Sequence, residues 1–170
     1  MNIRWLGALL VIAGCGGAGY SLAAAHRRQE EMLRQLMGAI EYMSCELEYR
    51  LTPLPELCIR AGQRGKGYVK RVLLSMGREL DRRICPDPAE CMRCVLEMQE
   101  PVSKLCRRLY IQLGNTLGQF DLSGQRKGLD SLFRECGREL EELTKDRENR
   151  LRSYQTLGLC AGAALAILFI

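Results

Sequence analysis

With 170 residues, 47% of them apolar, the chain has one domain's length and enough material for a modest core. A single histidine leaves little for acid–base or metal chemistry, and a formal charge of only +5 with 6% aromatic residues is not the balance of a nucleic-acid binder. Nine cysteines, an odd number, argue against a disulfide framework.

The two ends differ from the middle. Every acidic residue, and every basic one but Arg4, lies between residues 26 and 154. Leu6 to Ala25 is an uncharged, mostly apolar run that reaches about 30 Å as a helix, the thickness of a bilayer's hydrocarbon core. It reads first as a membrane anchor over residues 1–25. A cleaved signal peptide and a lipoprotein modified at Cys15 are the competing readings, disfavoured because the apolar run continues well past Cys15. Gln155 to Ile170 is a second apolar stretch, roughly 24 Å as a helix and therefore a short membrane segment. Small residues stand four apart at Ala13 and Gly17 and again at Gly158, Gly162 and Ala166, a spacing that lets membrane helices approach closely, so the ends are expected to pack as a hairpin. Arg27, Arg28 and Arg34 follow the first stretch, and Lys145, Arg147, Arg150 and Arg152 precede the second, which predicts a cytoplasmic middle domain over 26–154 with reduced cysteines.

From His26 a helix is predicted through Leu33, Leu36, Met37, Ile40, Met43, Leu47 and Leu51, with Glu30, Glu31, Arg34, Glu41, Glu46 and Glu48 on a solvated face. Thr52-Pro53-Leu54-Pro55-Glu56 breaks the register, with Thr52 as cap and Pro53 as first residue of a short helix to about Ala61. Gly62 to Gly67 lacks the glycine and hydroxyl positions of a phosphate loop and reads as a basic linker. Helical spacing resumes from Tyr68 to Ile84 and ends at Cys85-Pro86. Asp87 and Pro88 start a helix whose apolar positions are Cys91, Val95 and Met98. Cys91 and Cys94 have metal-like spacing but no second pair nearby, so packing is the expected role and no metal or cofactor is expected.

Glu100-Pro101 leads into a stripe of Val102, Leu105, Cys106, Leu109, Leu113 and Leu117. A corner follows. Gly114 and Gly118 leave one helix face bare, which permits close contact, or Gly118 ends the helix in a left-handed conformation. Asp121 offers a cap for the last helix, whose stripe is Leu129, Leu132, Phe133, Cys136, Leu140 and Leu143. A polar run from Thr144 to Arg150 then reads as a collar before the apolar tail. The predicted class is an all-α antiparallel bundle of four to six helices with a membrane segment at each end. No nucleophile has a base at a useful spacing, so no enzyme is expected, and the basic residues Lys70, Arg71, Arg78, Arg82 and Arg83 are diluted by Glu79 and Asp81.

The apolar N-terminal stretch, Thr52 to Glu56, Leu113-Gly114 with Leu117-Gly118, Asp121 and Gln125, and Tyr154 with Leu157-Gly158 follow one another in an order that resembles the stage III sporulation protein AB family of endospore-forming bacteria. One departure is the tryptophan: members often carry one in the middle helix, whereas here it is Trp5. The resemblance implies a non-enzymatic platform in the mother-cell membrane facing the forespore, with a helical domain similar to that of the type II secretion platform protein. It also implies a secretion-type ATPase and other channel components as partners, and is compatible with a homo-oligomer. A membrane-tethered helical adaptor, or a lipoprotein with another partner, is the alternative.

Overall fold

The computed structural model describes residues 27–50, 52–83, 87–118 and 121–169, with side chains as far as Lys145. Among the described residues every regular element is a helix: α1 over 27–49, α2 Leu54–Arg64, α3 Gly67–Asp81, α4 Pro88–Met98, α5 Lys104–Leu117 and α6 Leu122–Phe169.

Each helix buries the stripe that its sequence spaces at three and four residues. In α1 that stripe is Leu33, Leu36, Ile40, Met43 and Leu47; in α3 it is Val69, Val72, Leu73 and Met76; in α5 it is Leu109, Leu113 and Leu117. A buried leucine withdrawn from water contributes about 1.5–3 kcal/mol, so these stripes hold the bundle together far more than its exposed ion pairs do. Two stripes differ from expectation. Met98 is 74% exposed, and Met92 and Leu96 take the buried side of α4 beside Cys91 and Val95. Glu30 and Glu46, read as solvated, are buried because their places on α1 turn inward.

The boundaries also move. Thr52 does not cap α2: Pro53 is the cap residue, Leu54 opens the helix, and Thr52 Oγ1 donates to Glu46 Oε2 at 3.0 Å. Gly62 belongs to α2, where it is buried, and only Gly65 and Lys66 link to α3. Gly67 starts α3 at a φ of +54°, a left-handed conformation that glycine adopts without steric cost. Asp87 does cap α4, accepting from Ala89 N–H at 3.2 Å with Pro88 in the first turn. Ser103 caps α5 by accepting from Cys106 N–H, so the new helix begins after Pro101 and not at it.

Links of two to six residues fold each of α3 to α6 back on the helix before it, with α2 on α3, α3 on α4, α4 on α5 and α5 on α6. The first and last helices also meet. Arg126 reaches Glu48 at 3.0 Å, and a Cβ on Gly137 would lie 3.8 Å from the Met37 methyl. From Glu48 back to Met37 and from Arg126 on to Gly137 are eleven residues each, so α1 and α6 run antiparallel. The same register carried to residue 27 reaches about residue 147 of α6. The end of the bundle at residue 27 is therefore also the end from which α6 continues alone. This is the near end; the described turn residues Arg50, Thr52, Pro53, Arg82, Arg83, Asp87, Gly118 and Asp121 lie at the far end.

Helix α6 passes without a break through the polar run from Thr144 to Arg150 and on to Phe169. Among the described residues no helix is long and apolar enough to cross a membrane. The expected span at Gln155 to Ile170 is thus not supported as a complete crossing, because charge up to Arg152 confines the apolar part to a length below the roughly 20 residues needed. The expected anchor over 1–25 lies outside the described residues.

Candidate functional site

The structure brings the two motifs singled out in the sequence to one place, the far end. Leu47, Thr52 and Leu54 from the α1–α2 turn face Leu122 and Gln125 from the start of α6 across a pocket of about 300 Å³. Leu122 is 45% exposed and Tyr49 nearby in sequence is 81% exposed, so this end presents apolar surface.

Polar groups fix both turns. Glu46 Oε1 accepts from the Tyr42 hydroxyl at 2.9 Å, Oε2 accepts from Thr52, and the Arg50 guanidinium stands 4.0 Å away. The Tyr42 hydrogen bond first, then Thr52 and the arginine, hold the Glu46 carboxyl below its usual range against the opposing effect of desolvation. Asp121 caps α6 as its position suggested: Oδ1 accepts from Ser123 N–H at 3.1 Å, and Oδ2 accepts from Gly124 N–H and the Ser123 hydroxyl. The Ser123 hydroxyl and the two backbone amides lower its carboxyl too. Gln125 Nε2 donates to the Leu117 carbonyl at 3.2 Å, so one turn of α6 satisfies the open end of α5.

The glycines of the corner act differently from expectation. Gly114 does allow close contact, but with α4: a Cβ there would sit 2.7 Å from Met92 Cβ and 3.1 Å from the Pro88 carbonyl. Gly118 caps α5 at φ −78°, ψ −6°, which is right-handed and not the left-handed conformation expected of it. A Cβ on Gly118 would find ordinary contacts, the nearest 3.4 Å away at Asp87 Oδ1. Leu113 and Leu117 are fully buried core. Pro53 is exposed at the cap, and the Pro55 carbonyl backs onto Gly77 of α3, where a Cβ would be 2.8 Å from it.

Gly128 went unremarked in the sequence and is the residue that seats α6 on α5. Its missing side chain would lie 2.5 Å from Thr116 Cγ2, and Thr116 is pinned by donating from its hydroxyl to the Gln112 carbonyl. A glycine inside a long periodic helix was the available signal. Arg108 adds a fork to Glu135 and Glu139, at 3.1 and 2.7 Å, on the exposed side of the same pair of helices. Ala13, Gly17 and Cys15 lie outside the described residues; Gly158, Gly162 and Ala166 are on α6, where side chains are outside them.

Four cysteines of the middle are packing groups: Cys58, Cys91, Cys106 and Cys136 are buried, and Cys91 donates weakly to the Met76 carbonyl, whereas Cys45 is exposed. Burial pushes the Cys58 and Cys136 thiols up to about 12, which suppresses the reactive thiolate. Among the described residues no group of three or more His, Cys, Asp or Glu is placed to hold a metal ion. Of the basic residues on α3, Arg71 lies beside Glu100 and Arg82 beside Glu79.

No match is found among curated proteins. A solved structure of "Stage III sporulation protein AB (SpoIIIAB)" shares the fold with a TM-score of 0.62 at 18% identity, covering 72% of this chain and 98% of that one. The family model for stage III sporulation protein AB matches residues 4–170. With a match over nearly the whole length and a helical bundle of the same fold, the chain belongs to the stage III sporulation protein AB family, whose role is in sporulation.

Proposed function

We propose that this protein is a non-enzymatic platform, held to the mother-cell membrane by both apolar ends, that couples a cytoplasmic secretion-type ATPase to the channel complex between mother cell and forespore. The observation that carries the reading is the antiparallel register of α1 and α6. That register sets residue 27, where α1 starts, level with about residue 147 of α6, and the sequence leads on from these two points to the apolar stretches Leu6–Ala25 and 155–170, which supports attachment of both to one bilayer with the far end left for a partner. The second stretch is short, so it enters the bilayer beside the first and does not need to cross alone. The exposed Tyr49 and Leu122 and the pocket between the two motifs support the far end as the partner face.

A crosslinking pull-down from sporulating cells tests this. Recovery of a secretion-type ATPase with the wild-type chain, lost when Tyr49→Glu and Leu122→Glu are combined, is the expected result. A complex with no ATPase, or a deletion strain that sporulates at wild-type frequency, would overturn it.

A further inference from the structure

We propose that the near end of the bundle binds the phosphate headgroups of anionic phospholipid in a cavity rimmed by Arg27, Arg28, Lys66 and Arg71. The inference rests on the membrane attachment proposed above and goes beyond it, because an anchor holds a domain near a bilayer without specifying which lipid the domain touches.

The cavity measures about 700 Å³ and is made by three segments that the fold gathers at one end: the first turns of α1, the Gly65–Lys66 link with the start of α3, and residues 100–103 before α5. Its position follows from the α1–α6 register, which puts this end at residue 27 of α1 and about residue 147 of α6, the two points from which the sequence leads to its apolar stretches. Its rim is cationic. Arg27, Arg28 and Lys66 are exposed and form no ion pair among the described residues. Arg71 shares Glu100 at 3.5 Å, but that carboxylate is 85% exposed and holds it weakly. Glu31, the other acid of the lining, accepts from Gln35 instead. At the far end, by contrast, Arg50, Arg82 and Arg126 each stand beside a carboxylate.

The wall beneath the rim suits the other half of a lipid. Met32, Val69 and Val102 are apolar, and Tyr68 contributes a ring with a buried hydroxyl that has no hydrogen-bond partner among the described residues. A charged rim over an apolar wall with a tyrosine between them matches the order of phosphate, glycerol and acyl chain at a membrane interface. A soluble acidic segment would complement the rim and leave the wall unused.

The test uses the full chain reconstituted in phosphatidylcholine bilayers carrying spin-labelled phosphatidylglycerol or spin-labelled phosphatidylcholine. The motionally restricted fraction reports which lipid the protein holds. Phosphatidylglycerol should be preferred about fivefold, the preference falling as salt rises. Lys66→Gln with Arg71→Gln should abolish most of it, while Arg82→Gln with Arg83→Gln at the far end should leave it intact. Lys66 is exposed and Arg71 half so, and unchanged helicity of the variant confirms its fold. Equal association of the two lipids overturns the proposal, as does a preference that survives in the near-end variant, which would assign it to the flanking arginines alone. A chain that stays in the bilayer through an alkaline wash without lipid preference refutes only this inference. One that washes off refutes the membrane attachment as well.

Discussion

At the far end of the bundle nearly every turn is closed by a side chain: Asp87 and Asp121 cap their helices, Glu46 ties α1 to Thr52, and Gln125 reaches back to Leu117. At the near end Ser103 caps α5, but α3 starts from Lys66 with no side-chain cap, and arginines and a lysine surround a cavity. Both ends belong to the same six helices, so the difference lies in the turns and not in the core. Closure of this kind removes conformational freedom where helices change direction. Cationic openness preserves surface that an anionic partner can neutralise. The far end is thus where the fold is determined, and the near end is where charge is left to spend on something outside the chain.

The largest perturbation should come from filling the α4–α5 contact. Gly114→Val drives a side chain into Met92 and the Pro88 carbonyl, overpacking that costs about 3 kcal/mol, or roughly 10 °C in melting of the full chain in detergent. Gly118→Val, four residues on, should lose about 1 kcal/mol or less, since its nearest contact is an ordinary 3.4 Å. Equal losses would mean that the whole corner, and not the single crossing, is closely packed.

Next in size is Gly128→Ala. Alanine favours a helix by about 1 kcal/mol over glycine, but the clash with Thr116 Cγ2 outweighs this, for a net loss of about 1 kcal/mol. In a Thr116→Ser background the obstructing methyl is gone and the same change should become stabilising. A double-mutant cycle in denaturant shows whether the sign reverses; if it does not, α6 is seated by something else.

A smaller change, in the opposite direction, is expected in the α3–α4 turn. Arg83 has a φ of 56°, a left-handed conformation that disfavours a side chain, so Arg83→Gly should raise stability by up to about 1 kcal/mol. The smallest effect is the acid response of the closed end. Glu46 and Asp121 are both held below their ordinary values of 4.5 and 3.8. A carboxyl lowered in the folded state contributes stability that is complete above the ordinary value and is lost as pH falls through the lower, folded one. Melting measured from pH 8 to pH 2 should therefore decline on the acid side, and Glu46→Gln with Asp121→Asn should flatten that decline without altering the slope above pH 6.

How much of this the sequence disclosed depends on whether a feature is local. The stripe Leu33, Leu36, Ile40, Met43, Leu47 is buried as its spacing indicates, and Asp87 and Asp121 cap the helices beside them, because periodicity and capping involve residues within a turn of each other. The partner of a bare glycine face is not local. Gly114 advertised a close approach, yet only the packed bundle shows that α4 fills it, and that the close contact of α6 with α5 is made at Gly128. Thr52 shows the same limit at smaller scale. Its hydroxyl suits a helix cap, but a buried carboxylate six residues earlier takes it instead. At the candidate site both motifs were visible, and their meeting across one pocket was not.

Helix α6 has one further consequence. It holds no proline and runs unbroken from Leu122 to Phe169, about 70 Å of continuous hydrogen-bonded backbone. Its first half is held by α1 and α5, and past about residue 147 the α1–α6 register carries it beyond the start of α1. A rod gripped along one half is a lever: a small rotation of the bundle swings the outer tip through a much larger arc. Without a hinge to absorb the motion, a push on the far-end turns is delivered as a tilt of the apolar tail.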